Sequence, residues 1–276
     1  MTLKFDKIGY WSEVKLDIVR EYAGAYAKIL ASQRGLSSSY IDGFSGAGKH
    51  VKKSSKESVP GSPINVLAVD PPFDHYFFID LNEEKVEHLQ ALVGDRDDVS
   101  ILCGDCNPLL LNHVFPRTRF EDYRRGLCLL DPYGLHLQWE VMHAAGQSGS
   151  IDLILNFPIL DMNRNALWRD PDRRPIEDCE RMTAFWGDES WRQILYRPKP
   201  QLTIFGQEEE KVSNNEVATA FQERLRQVAG FKYVPDPMPM RNDSGGIVYY
   251  LFFASQKAVA ERIFKAIKRK HEKRRS

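Results

Sequence analysis

The chain has 276 residues, 42% of them hydrophobic, enough to bury one substantial core. Its 38 basic and 38 acidic residues cancel, so no global field draws it to nucleic acid and any such attraction must be local. The cysteines lack the spacing of a disulfide framework, no apolar run reaches membrane-spanning length and the N-terminus lacks a signal-peptide core, so the expectation is a cytoplasmic protein with no membrane partner.

In chain order, Val14, Ile18, Val19, Tyr22, Tyr26, Ile29 and Leu30 fall on one helical face and predict a helix over 11–34. It leads into a strand at about 38–43 that ends in an acid and three glycines, Asp42-Gly43-Phe44-Ser45-Gly46-Ala47-Gly48. Glycines let the chain turn sharply and let a ligand approach bare backbone. The order Gly43-x-x-Gly46-x-Gly48 reverses the dinucleotide fingerprint, whose close pair comes first, and Asp42 stands where a diphosphate would be repelled. A carboxylate there suits a ligand with positive charge, and S-adenosylmethionine carries an ammonium and a sulfonium.

Residues 49–56 read as a polar, basic, mobile loop, closed by Pro60-Gly61-Ser62-Pro63, with Pro63 starting a helix over 64–69. Strands are expected near 75–80, 99–103, 126–131 and 151–157, and helices around 82–93, 105–115 and 137–146. This alternation predicts an α/β fold with a mostly parallel, doubly wound sheet. Beyond Pro158 the pattern loosens, with helices near 177–187 and 213–229. Phe231 to Val234 and Ile247 to Phe253 read as a closing antiparallel strand pair, followed by a basic helix from about Gln256. The expectation is one domain: an N-terminal helical region (1–36), a cofactor-binding core (37–160), a helical insertion (161–230), and closing strands with a basic C-terminal helix (231–276).

Trp11-x-x-x-Lys15, the Tyr40 to Gly48 turn, Pro60-Gly61-Ser62-Pro63, Phe78-Ile79-Asp80, Gly104-Asp105-Cys106-Asn107 and Leu130-Asp131-Pro132-Tyr133-Gly134 together resemble the three-Cys-motif partner family. That resemblance implies a Rossmann-like class I methyltransferase fold of bacterial or phage-associated origin, and a neighbouring radical S-adenosylmethionine protein as partner. The chain is more distantly similar to ribosomal RNA adenine-N6 methyltransferases with a Pro-Gly-Ser-Pro loop, from whose Asp-Pro-Pro-Tyr catalytic loop it departs by lacking one proline. Lys15, Asp42, Gly46, Gly48, Asp131, Pro132 and Tyr133 match that scheme.

The similarity implies that the Asp131 carboxylate and the Pro132 carbonyl accept hydrogens from an exocyclic amine while Tyr133 stacks on an extruded or single-stranded base. On the cofactor side, Asp80 is expected on ribose hydroxyls and Asp105 on the adenine amino group. Lys15 is expected on the methionine carboxylate, and Asp42 on the glycine turn or the amino group. Gly43, Gly46 and Gly48 admit the methionyl part, and Phe44, Leu81 and Cys106 count in the same site. Acids at four successive strand ends line one crevice.

Other features carry less. Cys103-x-x-Cys106 has metal-ligand spacing, but no second pair completes it; buried strand-end cysteines are expected and no metal. His50, in the basic loop, is in reach of the substrate, but an exposed loop histidine is the favoured expectation. Asn156 reads either as lining the acceptor pocket or as part of a strand-ending turn. Lys49, Lys52 and Lys53, with the basic C-terminal run, offer a path for a DNA or RNA backbone. Arg164, Arg169, Arg173 and Arg174 add charge that Asp161, Asp170 and Asp172 offset. The leading expectation is an S-adenosylmethionine-dependent methyltransferase acting on a nucleic-acid base; the alternatives are a non-catalytic partner subunit and an enzyme acting on a small molecule or peptide.

Overall fold

A computed structural model describes residues 5–168, 175–203, 206–242 and 244–273, so Arg169, Asp170, Asp172, Arg173 and Arg174 lie outside the described residues. A short strand β1 (Lys7–Ile8) precedes helix α1 (Tyr10–Ala31), which leads into β2 (Ser37–Asp42). Two small strands, β3 (Lys49–Lys52) and β4 (Ser58–Pro60), occupy the first crossover before α2 (Ser62–Leu67). Then come β5 (His75–Asp80), α3 (Glu83–Val93), β6 (Val99–Cys103) and α4 (Cys106–Leu109). β7 (Arg124–Leu130), α5 (Trp139–Ser148) and β8 (Ile151–Phe157) complete the core. Three helices follow, α6 (Ile159–Asn165), α7 (Ile176–Trp186) and α8 (Trp191–Ile194), with a hairpin of β9 (Tyr196–Thr203) and β10 (Gly206–Lys211). Last are α9 (Asn214–Gln227), β11 (Met238–Arg241), β12 (Ile247–Ala254) and α10 (Ala258–Lys273).

Seven strands form one sheet in the order β11-β12-β8-β7-β2-β5-β6. β2 pairs in parallel with β5 and β7, β5 with β6 and β7 with β8, whereas β12 runs antiparallel to β8 and β11. This is the mostly parallel, doubly wound α/β sheet with a closing antiparallel strand that the class I methyltransferase resemblance implied. Chain order reverses between β2 and β7, and at such a switch point the loops after neighbouring strands part and leave a crevice.

The central strands carry apolar residues on both faces because both faces are covered. Tyr40, Phe78, Leu129 and Ile154 pack into the layer that contains α1 and α10, while Ile41, Ile79, Leu130 and Leu155 pack into the layer that contains α5 and α9. Burying each such side chain is worth about 1.5–3 kcal/mol. No helix among the described residues is long and apolar enough to cross a membrane.

Four expectations need correction. Phe231 to Val234 is not a strand: Tyr233 forms one isolated bridge with Ser255, and Pro235 and Pro237 then remove two donors. The edge strand is Met238–Arg241, where Pro239 is tolerated because one side of an edge strand needs no partner. Residues 49–56 are not simply a loop, since β3 is held between β1 and β4. The insertion is not purely helical, because β9 and β10 pair antiparallel within it. Finally, the expected helix over 105–115 widens into a π turn at Leu110–Val114.

Candidate active site

β2, β5 and β7 each deliver an acid to the carboxyl edge of the sheet, as Asp42, Asp80 and Asp131, and Asp105 follows two residues after β6. The glycine turn joins the first two. Gly46 lies at φ 63° and Gly48 at φ 76°, conformations that side-chain-bearing residues resist. The Gly46 amide donates to Asp80 Oδ2 at 2.8 Å and the Asn82 amide to Asp80 Oδ1 at 2.9 Å. A Cβ on Gly46 would meet nothing within 4 Å, so its bare backbone faces open space, whereas one on Gly43 would come within 2.9 Å of Leu130.

Asp42 is fully buried beneath this turn. It accepts from the Phe44 amide at 3.1 Å and from the Ser62 hydroxyl at 2.5 Å, which ties the glycine turn to the Pro60-Gly61-Ser62-Pro63 loop. Burial pushes its carboxyl up to about 7, against the pull of the Ser62 hydroxyl and the Phe44 amide.

Beside the turn is a cavity of about 330 Å³, within the usual range for small-molecule sites. Of the expected site residues, Lys15, Phe44, Gly46, Asp131, Pro132, Tyr133 and Asn156 line it. Lys15 reaches in from α1 and is ion-paired with Asp131, its ammonium 5.5 Å from the centre of the Tyr249 ring. Burial works against the ammonium, but Asp131, Tyr249 and Asp42 together outweigh that and hold it above its usual range. The other Asp131 oxygen accepts from Asn156 Nδ2 at 2.6 Å. Asn156 lies within β8, not in a turn after it, and lines the cavity.

At the mouth, the half-exposed Tyr133 donates to Asp6 at 2.9 Å, and Lys85 bonds the same Asp6 oxygen at 2.8 Å. Burial, then Asp6, pushes the Tyr133 hydroxyl far above the ordinary phenol range. Asp6 belongs to a segment held by β1, which pairs in parallel with β3. His50, on β3, also lines the cavity instead of standing free in a loop. Burial, helped by Lys15, lowers its pKa and keeps the ring neutral at pH 7.

The remaining expected residues lie elsewhere along the edge. Asp80, Leu81, Asp105 and Cys106 are outside the cavity lining, on the side of the turn where β5 and β6 end. Leu81 is 75% exposed, and Asp105 caps α4 by accepting from the Asn107 amide at 2.9 Å. Cys106 is buried and its thiol is pushed up to about 12, whereas Cys103 is exposed, contrary to expectation. Lys49 and Lys52 are half-buried and Lys53 exposed, none of them in the cavity; Lys52 pairs with Glu13 at 2.7 Å. Asp6, Lys85 and Tyr249 escaped the sequence reading because no local motif marks them.

No family model matches the chain, and no curated protein does. Among solved structures it is similar to a Legionella pneumophila protein at 11% identity, covering 91% of each chain with a TM-score of 0.47. It is also similar to the plantazolicin methyltransferase in complex with S-adenosylhomocysteine, at 12% identity over 89% of this chain and 86% of that one, TM-score 0.37. A third is an S-adenosylmethionine-dependent methyltransferase from Mesorhizobium loti, at 13% identity over 87% and 99%, TM-score 0.38. Identities this low leave the chemistry to the residues themselves.

Proposed function

We propose that the chain is an S-adenosylmethionine-dependent methyltransferase whose acceptor is the exocyclic amino group of a nucleic-acid base. One observation carries the reading. Five buried side-chain polar atoms lack a hydrogen-bond partner among the described residues, and three of them, Ser45 Oγ, His50 Nδ1 and Asn156 Oδ1, belong to residues that line the cavity beside the glycine turn. An unpaired buried polar group costs about 1–3 kcal/mol, so three around one cavity fit a polar ligand.

The donor set suits that cofactor. Asp80 keeps lone pairs for ribose hydroxyls, Asp105 keeps a second oxygen for an adenine amino group, and Gly46 offers bare backbone to the methionyl part. Bound there, the cofactor would supply an electrophilic methyl group on sulfur. The protein's work is positional: it holds the acceptor atom in line and offers oxygens to its hydrogens. With both Asp131 oxygens engaged, the Pro132 carbonyl and Asn156 Oδ1 are suited to that, Asp131 holding Asn156 in place through its Nδ2, and Tyr133 on the rim presents a ring face to a base. Lys49 and Lys53, with Lys52 beside them paired to Glu13, supply local positive charge for a DNA or RNA backbone.

A second reading has its own support. Both Asp131 oxygens are engaged, by Lys15 and by Asn156, which suits a non-catalytic subunit that holds the cofactor for a three-Cys-motif radical partner. Titration with S-adenosylhomocysteine, followed by transfer of labelled methyl to DNA, RNA, peptide and partner protein, separates the two. Saturable binding with transfer to a nucleic acid, abolished in Asp131→Ala, is the expected result. Binding without transfer to any of these acceptors supports the subunit, and the absence of binding overturns both.

A further inference from the structure

His50 is a half-buried, chemically competent side chain with no structural task assigned to it. Its Nδ1 is buried without a hydrogen-bond partner among the described residues, and its ring lines the same cavity as Gly46, Asp131 and Asn156. A Cβ on Gly61 would come within 3.3 Å of Nε2, so the Nε2 edge is turned to the Pro60-Gly61 loop and Nδ1 is the edge left unpaired. Position 50 is fixed by pairing: β3 lies between β1 and β4, with His50 opposite Val59. The ring is thus delivered to the cavity by a small sheet, not by a mobile loop.

Resting on the methyltransferase reading, we propose that His50 Nδ1 is the base that takes the proton from the acceptor nitrogen, with Asn156 Oδ1 as the neighbouring hydrogen-bond acceptor. When an amine nitrogen uses its lone pair to bond the methyl carbon, the old bond's electron pair stays on sulfur and the nitrogen carries four bonds and a positive charge. One N–H bond then breaks, its electrons remain on nitrogen, and the proton passes to Nδ1. The imidazolium so formed releases a proton to solvent. A neutral imidazole is the right form for this, and the charges facing His50 determine how readily it takes the proton: Lys15 from α1 and Lys85 from α3 oppose protonation, while Asp6 and Asp131 favour it.

The test needs no knowledge of the acceptor. Sinefungin carries an amino-bearing carbon where the cofactor has its methyl-bearing sulfur, so its ammonium probes the groups around the reacting position, whereas S-adenosylhomocysteine has no charge there. Calorimetric titration of the full chain with each ligand, across pH 5.5 to 8.5, is run on wild type, His50→Gln and His50→Asn. A charge-assisted hydrogen bond is lost, so His50→Gln should weaken sinefungin about 10-fold or more while S-adenosylhomocysteine changes less than about 2-fold. In wild type, sinefungin affinity should fall as the pH drops and His50 gains its proton. His50→Asn, whose amide oxygen can reach the place of Nδ1, should keep most of the affinity and lose that pH dependence. Equal effects on the two ligands, or none, overturn the role of His50 alone. If neither ligand binds wild type, the methyltransferase reading falls and this inference with it.

Discussion

Lys15 and Asp131 stand 116 residues apart in the chain and meet as an ion pair inside the cavity, joining α1 to the end of β7. The Lys15 side chain is 10% exposed and that of Asp131 30%, so the pair is screened on one side only. Removing one partner strands a charge. Lys15→Met should destabilise the protein by about 2 kcal/mol, less than for a fully buried pair, and the double variant Lys15→Met, Asp131→Leu should recover most of it. Urea unfolding of the three proteins measures this; an unchanged midpoint in Lys15→Met would show that the pair contributes nothing to the fold.

Gly46 donates to Asp80 and leaves open space beyond its Cα. Gly46→Ala therefore meets backbone strain, not a clash, with an expected loss of about 1–2 kcal/mol. Its methyl would also occupy the face offered to the ligand. Asp80→Ala removes both the anchor of this turn and the proposed ribose acceptor. Both variants should bind S-adenosylhomocysteine at least about 10-fold more weakly, by calorimetry, and wild-type affinity in Asp80→Ala would refute the ribose assignment.

Asp152 is buried at the opposite edge of the sheet, accepting from Tyr22 at 2.8 Å and from Ser255 at 2.5 Å. Burial pushes its carboxyl up to about 6 from 3.8. The folded chain thus holds a proton that the unfolded chain releases first. The stability this contributes is complete below about pH 4 and lost as pH rises through about 6. Asp152→Asn cannot ionise and can still accept from Tyr22. Its stability should decline less than that of wild type between about pH 4 and 7, by on the order of 3 kcal/mol, with Asp42 left to supply a residual slope. Denaturant melts across that window decide it, and parallel curves for the two proteins would contradict the shift.

Tyr133 holds Asp6, and with it the segment that leads into β1. Loss of the hydroxyl in Tyr133→Phe should speed amide exchange at Asp6 to Gly9 while leaving the sheet protected. Tyr133→Ala also removes the ring offered for stacking. Methyl transfer should drop about 10-fold or more with little change in S-adenosylhomocysteine affinity, since the ring faces the acceptor side; a matched loss of both would move Tyr133 to the cofactor.

Much of this protein is legible locally. Apolar stretches ending in acid or glycine marked β2, β5, β6 and β7, and an apolar stretch ending at Pro158 marked β8, because a strand covered on both faces is rich in apolar residues and its terminal turn must bend sharply. The motif around Gly46 and the four acids pointed to the carboxyl edge before any coordinates. Residues 231–234 misled because an aromatic, β-branched run looks like a strand wherever it is buried, and here it packs without a ladder. The hairpin of β9 and β10 was invisible because its charged stretch lacks alternation.

The sequence alone determined the fold class and the edge of the sheet where the acids and the glycine turn gather, since both follow from short-range periodicity and turn chemistry. Only the tertiary structure decided who meets whom there: that Lys15 neutralises Asp131, that Asp6 reaches Tyr133 across 127 residues, and that His50 Nδ1 is buried with no partner among the described residues. Such contacts depend on strand order and on what closes over the crevice, and neither leaves a mark in the spacing of neighbouring residues.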